Sequence, residues 1–203
     1  MNGLRDFKEL DPDRHNPAVG INFGNSNLGK LLIVGESHYS EDADLIRQPK
    51  FTHNPIEMII QGEERIPYFT KVAGLFPNPD GEFYSPAKFY PRVAFYNYLP
   101  DSFAKARERF KTDLYRASLA VEFFYKVLNE IKPTHVLVTG GTLWRYLPSD
   151  PEPKPATNLR LLLNSKFDEC EKHAWLYPTG GDDYALVAGI YHPSSHSFKA
   201  REI

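Results

Sequence analysis

Cysteine is almost missing from this chain: Cys170 is the only one in 203 residues. One thiol excludes a disulfide within the chain, a cysteine-rich zinc site and a four-thiolate iron–sulfur cluster. A charge of one sign is missing too. The 24 Lys and Arg nearly balance the 26 Asp and Glu, for a net charge of -2. That argues against a broadly basic coat, whose affinity for nucleic acid would come from many phosphate contacts, and leaves room for a local basic strip. No run reaches the ~18 apolar residues of a membrane span. Residues 1–6 carry no apolar signal core. The expectation is a soluble, cytoplasmic, monomeric protein without a membrane partner.

Hydrophobic and aromatic residues are plentiful. They make up 41% and 14% of the chain, with 14 Phe and 12 Tyr, so a packed core forms and ring surface remains for stacking on a ligand. The length fits one domain over residues 1–203. Its first 29 residues, with Pro12, Pro17, Gly20, Gly24 and Gly29, read as a turn-rich arm packed on it.

Apolar runs predict strands at 30–35, 93–100, 135–141 and 184–191, with a short edge strand at 175–178. Between them fall helical signals. Asn54-Pro55-Ile56-Glu57 looks like a capped start. A second piece is expected over 68–75. Leu114, Ala117, Val121, Phe124, Leu128 and Ile131 make one stripe over five turns, ended by Lys132-Pro133. Residues 142–147 start a further helix, and 158–166 carry another. Residues 77–91 and 149–157, rich in Pro, read as loops. This alternation predicts a three-layer α/β/α fold with a central, mostly parallel four-stranded sheet.

Two strand ends stand out. Leu31-Leu32-Ile33-Val34 runs into Gly35-Glu36-Ser37-His38-Tyr39, and Gly189-Ile190-Tyr191 runs into His192-Pro193-Ser194-Ser195-His196-Ser197. Open parallel sheets bind ligands at such carboxyl ends. Gly35 lets the backbone turn close to a ligand. Glu36 and His38 have acid–base capacity, Ser37 is a nucleophile if a base lies near, and His192 supplies a base or a donor. A strand end with plain capping residues is the structural alternative for the first loop. The same pair of loops also permits a serine esterase built on Ser37 and His192, although Gly189 stands where such enzymes carry an Asp. His192 and His196 have metal-ligand spacing, but Pro193 breaks the helix that spacing needs. No metal and no cofactor are expected.

Taken together, these motifs resemble the uracil-DNA glycosylase superfamily. Leu32 through Tyr39 resembles its first motif, Phe95-Tyr96-Asn97 the strand whose Asn reads the pyrimidine edge, Pro133 through Gly140 its third strand, and Tyr191 through Ser197 its His-Pro-Ser motif. The resemblance covers roughly residues 30–200, in family order. It implies a glycosylase-like fold and hydrolysis of the N-glycosidic bond of a damaged, deaminated or modified base, uracil being the simplest. The catalytic residues it implies are Glu36, which positions water, and His192, which stabilises charge on the departing base. Gly35, Ser37, His38, Tyr39, Phe51 and Asn97 would bind the base, with Phe51 as its stacking ring. Ser194, Ser195, Ser197 and Lys199 would touch DNA phosphates. The partner is then DNA, single-stranded or with a base flipped from the duplex. Three positions depart from the pattern: Ser37 stands at the water-activating Asp of one branch, His38 at the motif Pro, and His196 at the apolar wedge. A catalytically silent module that holds a base, a nucleotide or a protein on the same fold is the alternative.

Overall fold

A computed structural model describes residues 3–12, 14–39, 48–99, 102–103, 112–149, 154–155 and 174–194. In chain order its elements are β1 (Ala18–Val19), β2 (Leu31–Gly35), β3 (His38–Tyr39), α1 (His53–Gln61), α2 (Pro67–Ala73), α3 (Pro86–Phe89), a 3-10 turn (Tyr90–Arg92), β4 (Ala94–Asn97), β5 (Ser102–Phe103), α4 (Thr112–Arg116), α5 (Ser118–Ile131), β6 (His135–Thr139), α6 (Gly141–Arg145), β7 (Lys154–Pro155), β8 (Ala174–Pro178) and β9 (Tyr184–Ile190). None of these helices is long and apolar enough to cross a membrane.

The fold is α/β, built on a mixed sheet of order β1-β4-β2-β6-β9-β8-β7. The expected count of four strands is corrected to seven. Strands β4, β2, β6 and β9 run parallel. The other three are antiparallel edges: β8, the edge strand expected at 175–178, beyond β9, with β7 outside it, and β1 beside β4. The N-terminal arm therefore supplies an edge strand to the sheet. Strands β3 and β5 form a separate parallel pair.

Side-chain alternation along β2 sends its residues to two cores. Leu32 and Val34 pack with Tyr96, Val138, Phe124 and Leu128 on the α5 face. Leu31 and Ile33 pack with Phe95, Ile56, Phe69 and Phe89 on the face of α1 to α3. Helices thus cover both faces of the parallel strands.

Three boundaries differ from the sequence expectation. Helix α1 begins one residue before Asn54, because Phe51 and His53 amides already bond the carbonyls of Gln48 and Lys50 and wind the chain early. The long apolar stripe is two helices, since Ala117 adopts φ -53° and ψ 131° between α4 and α5. The buried positions of α5 are then Ala120, Phe123, Phe124, Val127, Leu128 and Ile131. The loop over 77–91 contains α3, and its Tyr84, Phe89 and Tyr90 are buried core, while Phe83 is exposed. The helix expected over 158–166 lies outside the described residues.

Candidate functional site

From β2 the chain crosses by α1, α2 and α3 on one face to reach β4. From β4 it crosses by α4 and α5 on the other face to reach β6, on the opposite flank of β2. The winding direction reverses between β2 and β6. A crevice opens at the carboxyl ends of strands at such a switch point. Gly35-Glu36 ends β2 there, and Thr139-Gly140 ends β6.

The β2 end is held by main-chain bonds that outlast the strand. The amide of Tyr98 donates to the carbonyl of Gly35 at 2.9 Å, and that of Leu99 to the carbonyl of Glu36 at 3.0 Å. Gly35 lies opposite Asn97 in the parallel register. A Cβ built on Gly35 would overlap Asn97 Oδ1 and come within 3.2 Å of the Phe95 ring. Glycine at 35 is therefore what lets the Asn97 amide lie over the strand end. Asn97 is buried, and among the described residues its side-chain amide has no hydrogen-bond partner. It faces the same side of the sheet as Phe95, the side covered by α2.

Glu36 is buried at 7% exposure. The Tyr115 hydroxyl, at the end of α4, donates to Glu36 Oε1. Its other oxygen faces Gly140, where a Cβ would stand 4.0 Å away. The carboxylate thus spans the tips of β2 and β6. Ser37 follows it, half-buried.

His192 follows β9 and is half-buried. Its Nδ1 accepts from the Ser194 amide at 3.1 Å. In the neutral ring this leaves the proton on Nε2. The imidazole lies 5.3 Å from the Tyr68 ring, tilted by 31°. Tyr68 also meets Phe95 at 6.2 Å and bonds Thr139 Oγ1 at 2.7 Å. Burial pushes the Tyr68 phenol well above its ordinary pKa, the Thr139 bond opposes that, and the nearby Glu36 charge raises it further. Lys71, one turn along α2, donates to the Pro193 carbonyl at 2.8 Å.

The remaining expected residues lie differently. His38 is buried, with Nε2 2.9 Å from Thr52 Oγ1. Its ring meets Phe51 edge-on at 4.8 Å and His15 at 5.0 Å. Burial, with a smaller contribution from His15, lowers its pKa to about 3, so it is neutral in ordinary buffers. His38 and Phe51 thus form a ring cluster with the N-terminal arm. Tyr39 contributes its backbone to β3. Ser194 is exposed beside His192, while Ser195, His196, Ser197 and Lys199 lie outside the described residues.

The structure joins Gly35, Glu36 and Asn97 at one strand end, with the Glu36 carboxylate turned to Tyr115 of the α5 core, and Tyr68 links the Asn97 face of the sheet to His192. Sequence reasoning missed Tyr68, Lys71, Tyr115 and Thr139. Thr139 had a signal, since it ends an apolar strand before two glycines as Val34 does before Gly35-Glu36. The two tyrosines had none, because each sits in a helical stretch that reads as core. An open cavity of about 640 Å³ lies elsewhere, between the arm and the first turn of α1. Its charges are of both signs, among them Arg5, Asp6, Lys50 and Glu57, and Arg5 is committed to the carbonyls of Gly20 and Phe23. The strand-end site is the better candidate for chemistry. Among the described residues no group of three or more His, Cys, Asp or Glu is placed to hold a metal. No protein-family model and no curated protein matches this chain.

Proposed function

We propose that this chain is a DNA glycosylase-like protein of the uracil-DNA glycosylase type, which hydrolyses the N-glycosidic bond of a damaged, deaminated or modified base, uracil being the simplest. The observation that carries the reading is the strand-end arrangement. The Asn97 amide lies over Gly35, the Glu36 carboxylate lies at the switch point, and His192 is reached across Tyr68 on the Asn97 face. The order of the four parallel strands supports the same reading, because it sets a switch point between β2 and β6.

A flipped base needs an edge reader, a dry wall and a donor at the oxygen that gains charge. The Asn97 amide offers one acceptor and two donors, which suits a pyrimidine edge. As the bond to the sugar breaks, its electrons leave with the base. A neutral His192 with its proton on Nε2 is a donor for that charge, and such stabilisation is commonly the largest catalytic contribution. Water adds to the sugar carbon, and Glu36 is the carboxylate that orients it. Ser37 stands where one branch has Asp, so among the described residues of this loop the role falls to Glu36.

One observation favours a catalytically silent module that binds a base. Tyr115 already engages Glu36 Oε1, which suits a carboxylate that shapes a site without activating water. The esterase reading has less support. Nδ1 of His192 accepts from Ser194, whereas a triad histidine donates from that nitrogen to a carboxylate. Moreover, Trp144 packs against Gly189, where the acid would stand.

The deciding assay uses single-stranded oligonucleotides with uracil, hypoxanthine or xanthine, with Glu36→Ala and His192→Ala as controls. Excision of one of these bases that is lost in the His192 variant is expected. A folded protein that binds such oligonucleotides and excises none of the bases establishes the binding module instead.

A further inference from the structure

Helix α2 sends two side chains, at positions i and i+3, to the turn that carries His192. Such residues share one helix face. The Tyr68 ring lies along the imidazole at 5.3 Å. The Lys71 ammonium holds the Pro193 carbonyl at 2.8 Å. The far end of Tyr68 is fixed as well. Thr139 Oγ1 donates its only hydrogen to the Val34 carbonyl at 3.0 Å, so in the 2.7 Å contact between the two hydroxyls it is Tyr68 that donates. The polarity of this chain is settled by the backbone of β2, and the phenol stays protonated because burial opposes its ionisation.

We propose that Tyr68, anchored through Thr139 to β2 and assisted by Lys71, is a positioning residue that fixes the ring plane and the Nε2–H tautomer of His192. The ring plane decides where Nε2–H points. The Ser194 amide reaches Nδ1 only while the turn over 192–194 keeps its shape, and Lys71 holds that turn from the adjoining residue. The catalytic consequence rests on the base-excision reading, but the tautomer does not.

The test observes the imidazole directly. Protein labelled with ¹⁵N-histidine is compared by long-range ¹H–¹⁵N spectra across pH, with His192→Gln to assign the signal. The wild-type ring is expected in the Nε2–H form. Tyr68→Leu should move it to a tautomer mixture and shift its titration, and Tyr68→Phe, which keeps the ring but loses the Thr139 bond, should recover part of the wild-type signal. Thr139→Val and Lys71→Met should each give a partial shift, and they decide the matter if Tyr68→Leu does not fold. A wild-type imidazole spectrum in the folded Tyr68→Leu protein overturns the proposal. So does a wild-type spectrum in both Thr139→Val and Lys71→Met where Tyr68→Leu does not fold. If the protein excises a base, Tyr68→Leu should lower kcat roughly 10- to 100-fold, the scale of a misplaced catalytic group, with little change in KM. An imidazole that responds in a protein without excision activity rejects the glycosylase reading and keeps this one. Excision with an unresponsive imidazole does the reverse.

Discussion

His38 and His192 both follow an apolar strand of the parallel sheet, yet the fold gives them opposite chemistry. His38 is enclosed by His15, Phe51 and Thr52 and lowered to about pKa 3. His192 is half-buried, flanked on one side by the tilted Tyr68 ring, with Nδ1 capped by a backbone amide. The first ring is held as a neutral packing group. The second has an oriented donor. A histidine's use is set by what encloses it more than by the motif around it.

The largest expected effect separates them by activity. With uracil or another excised base as substrate, His192→Ala should lower kcat by about 10²–10³-fold, the cost of removing a preorganised donor, and leave the melting temperature nearly unchanged. His38→Gln should do the opposite, changing stability more than kcat. If both variants lose activity equally at equal stability, the contrast fails.

Acid should sharpen it. The folded pKa of His38 is about 3 against 6.5 for the ordinary ring. Between those values the unfolded chain binds the extra proton and the folded chain does not. The His38 contribution is therefore complete above pH 6.5 and is lost progressively as pH falls toward 3, at up to ~1.4 kcal/mol per pH unit. Urea unfolding between pH 4 and 7 measures that slope, and His38→Gln should flatten it.

Gly35→Ala tests the strand end between the two rings. The new Cβ displaces the Asn97 amide, and overpacking of this kind costs about 1–3 kcal/mol. Binding of a base-containing oligonucleotide should weaken in step. Retained binding would remove Asn97 from the site.

The smallest effect belongs to the opposite face. Tyr96 is fully buried in the α5 core, and its hydroxyl has no hydrogen-bond partner among the described residues. Tyr96→Phe removes a desolvated group that gains nothing, so unfolding free energy should rise by roughly 1 kcal/mol, with the site unaffected. A loss of stability would mean that this hydroxyl is satisfied in solution.

The parallel strands were legible because each is an unbroken apolar run that ends in small or polar residues, a pattern set by burial on both faces. Strands β1 and β7 were not, since two residues carry no period. The break at Ala117 was hidden by a stripe that keeps its spacing through it. Glu36, Asn97 and His192 were readable as polar residues at strand ends. Tyr68 and Tyr115 were invisible, because a buried phenol that reaches a carboxylate or a threonine has the same local sequence as one that fills a core. Phe51 carried no pattern of its own beyond the resemblance, and its ring packs with His38 and His15.

The bonds from Tyr98 and Leu99 to Gly35 and Glu36 carry a last consequence. They extend the sheet ladder beyond its strands, so the residue that bears the carboxylate has its backbone held to the neighbouring chain although the chain bends there. Its conformational freedom is surrendered once, when the chain folds, and not again at each encounter with a ligand. A site built this way is preorganised, and the ordering entropy that flexible loops lose on binding falls here mainly on the ligand.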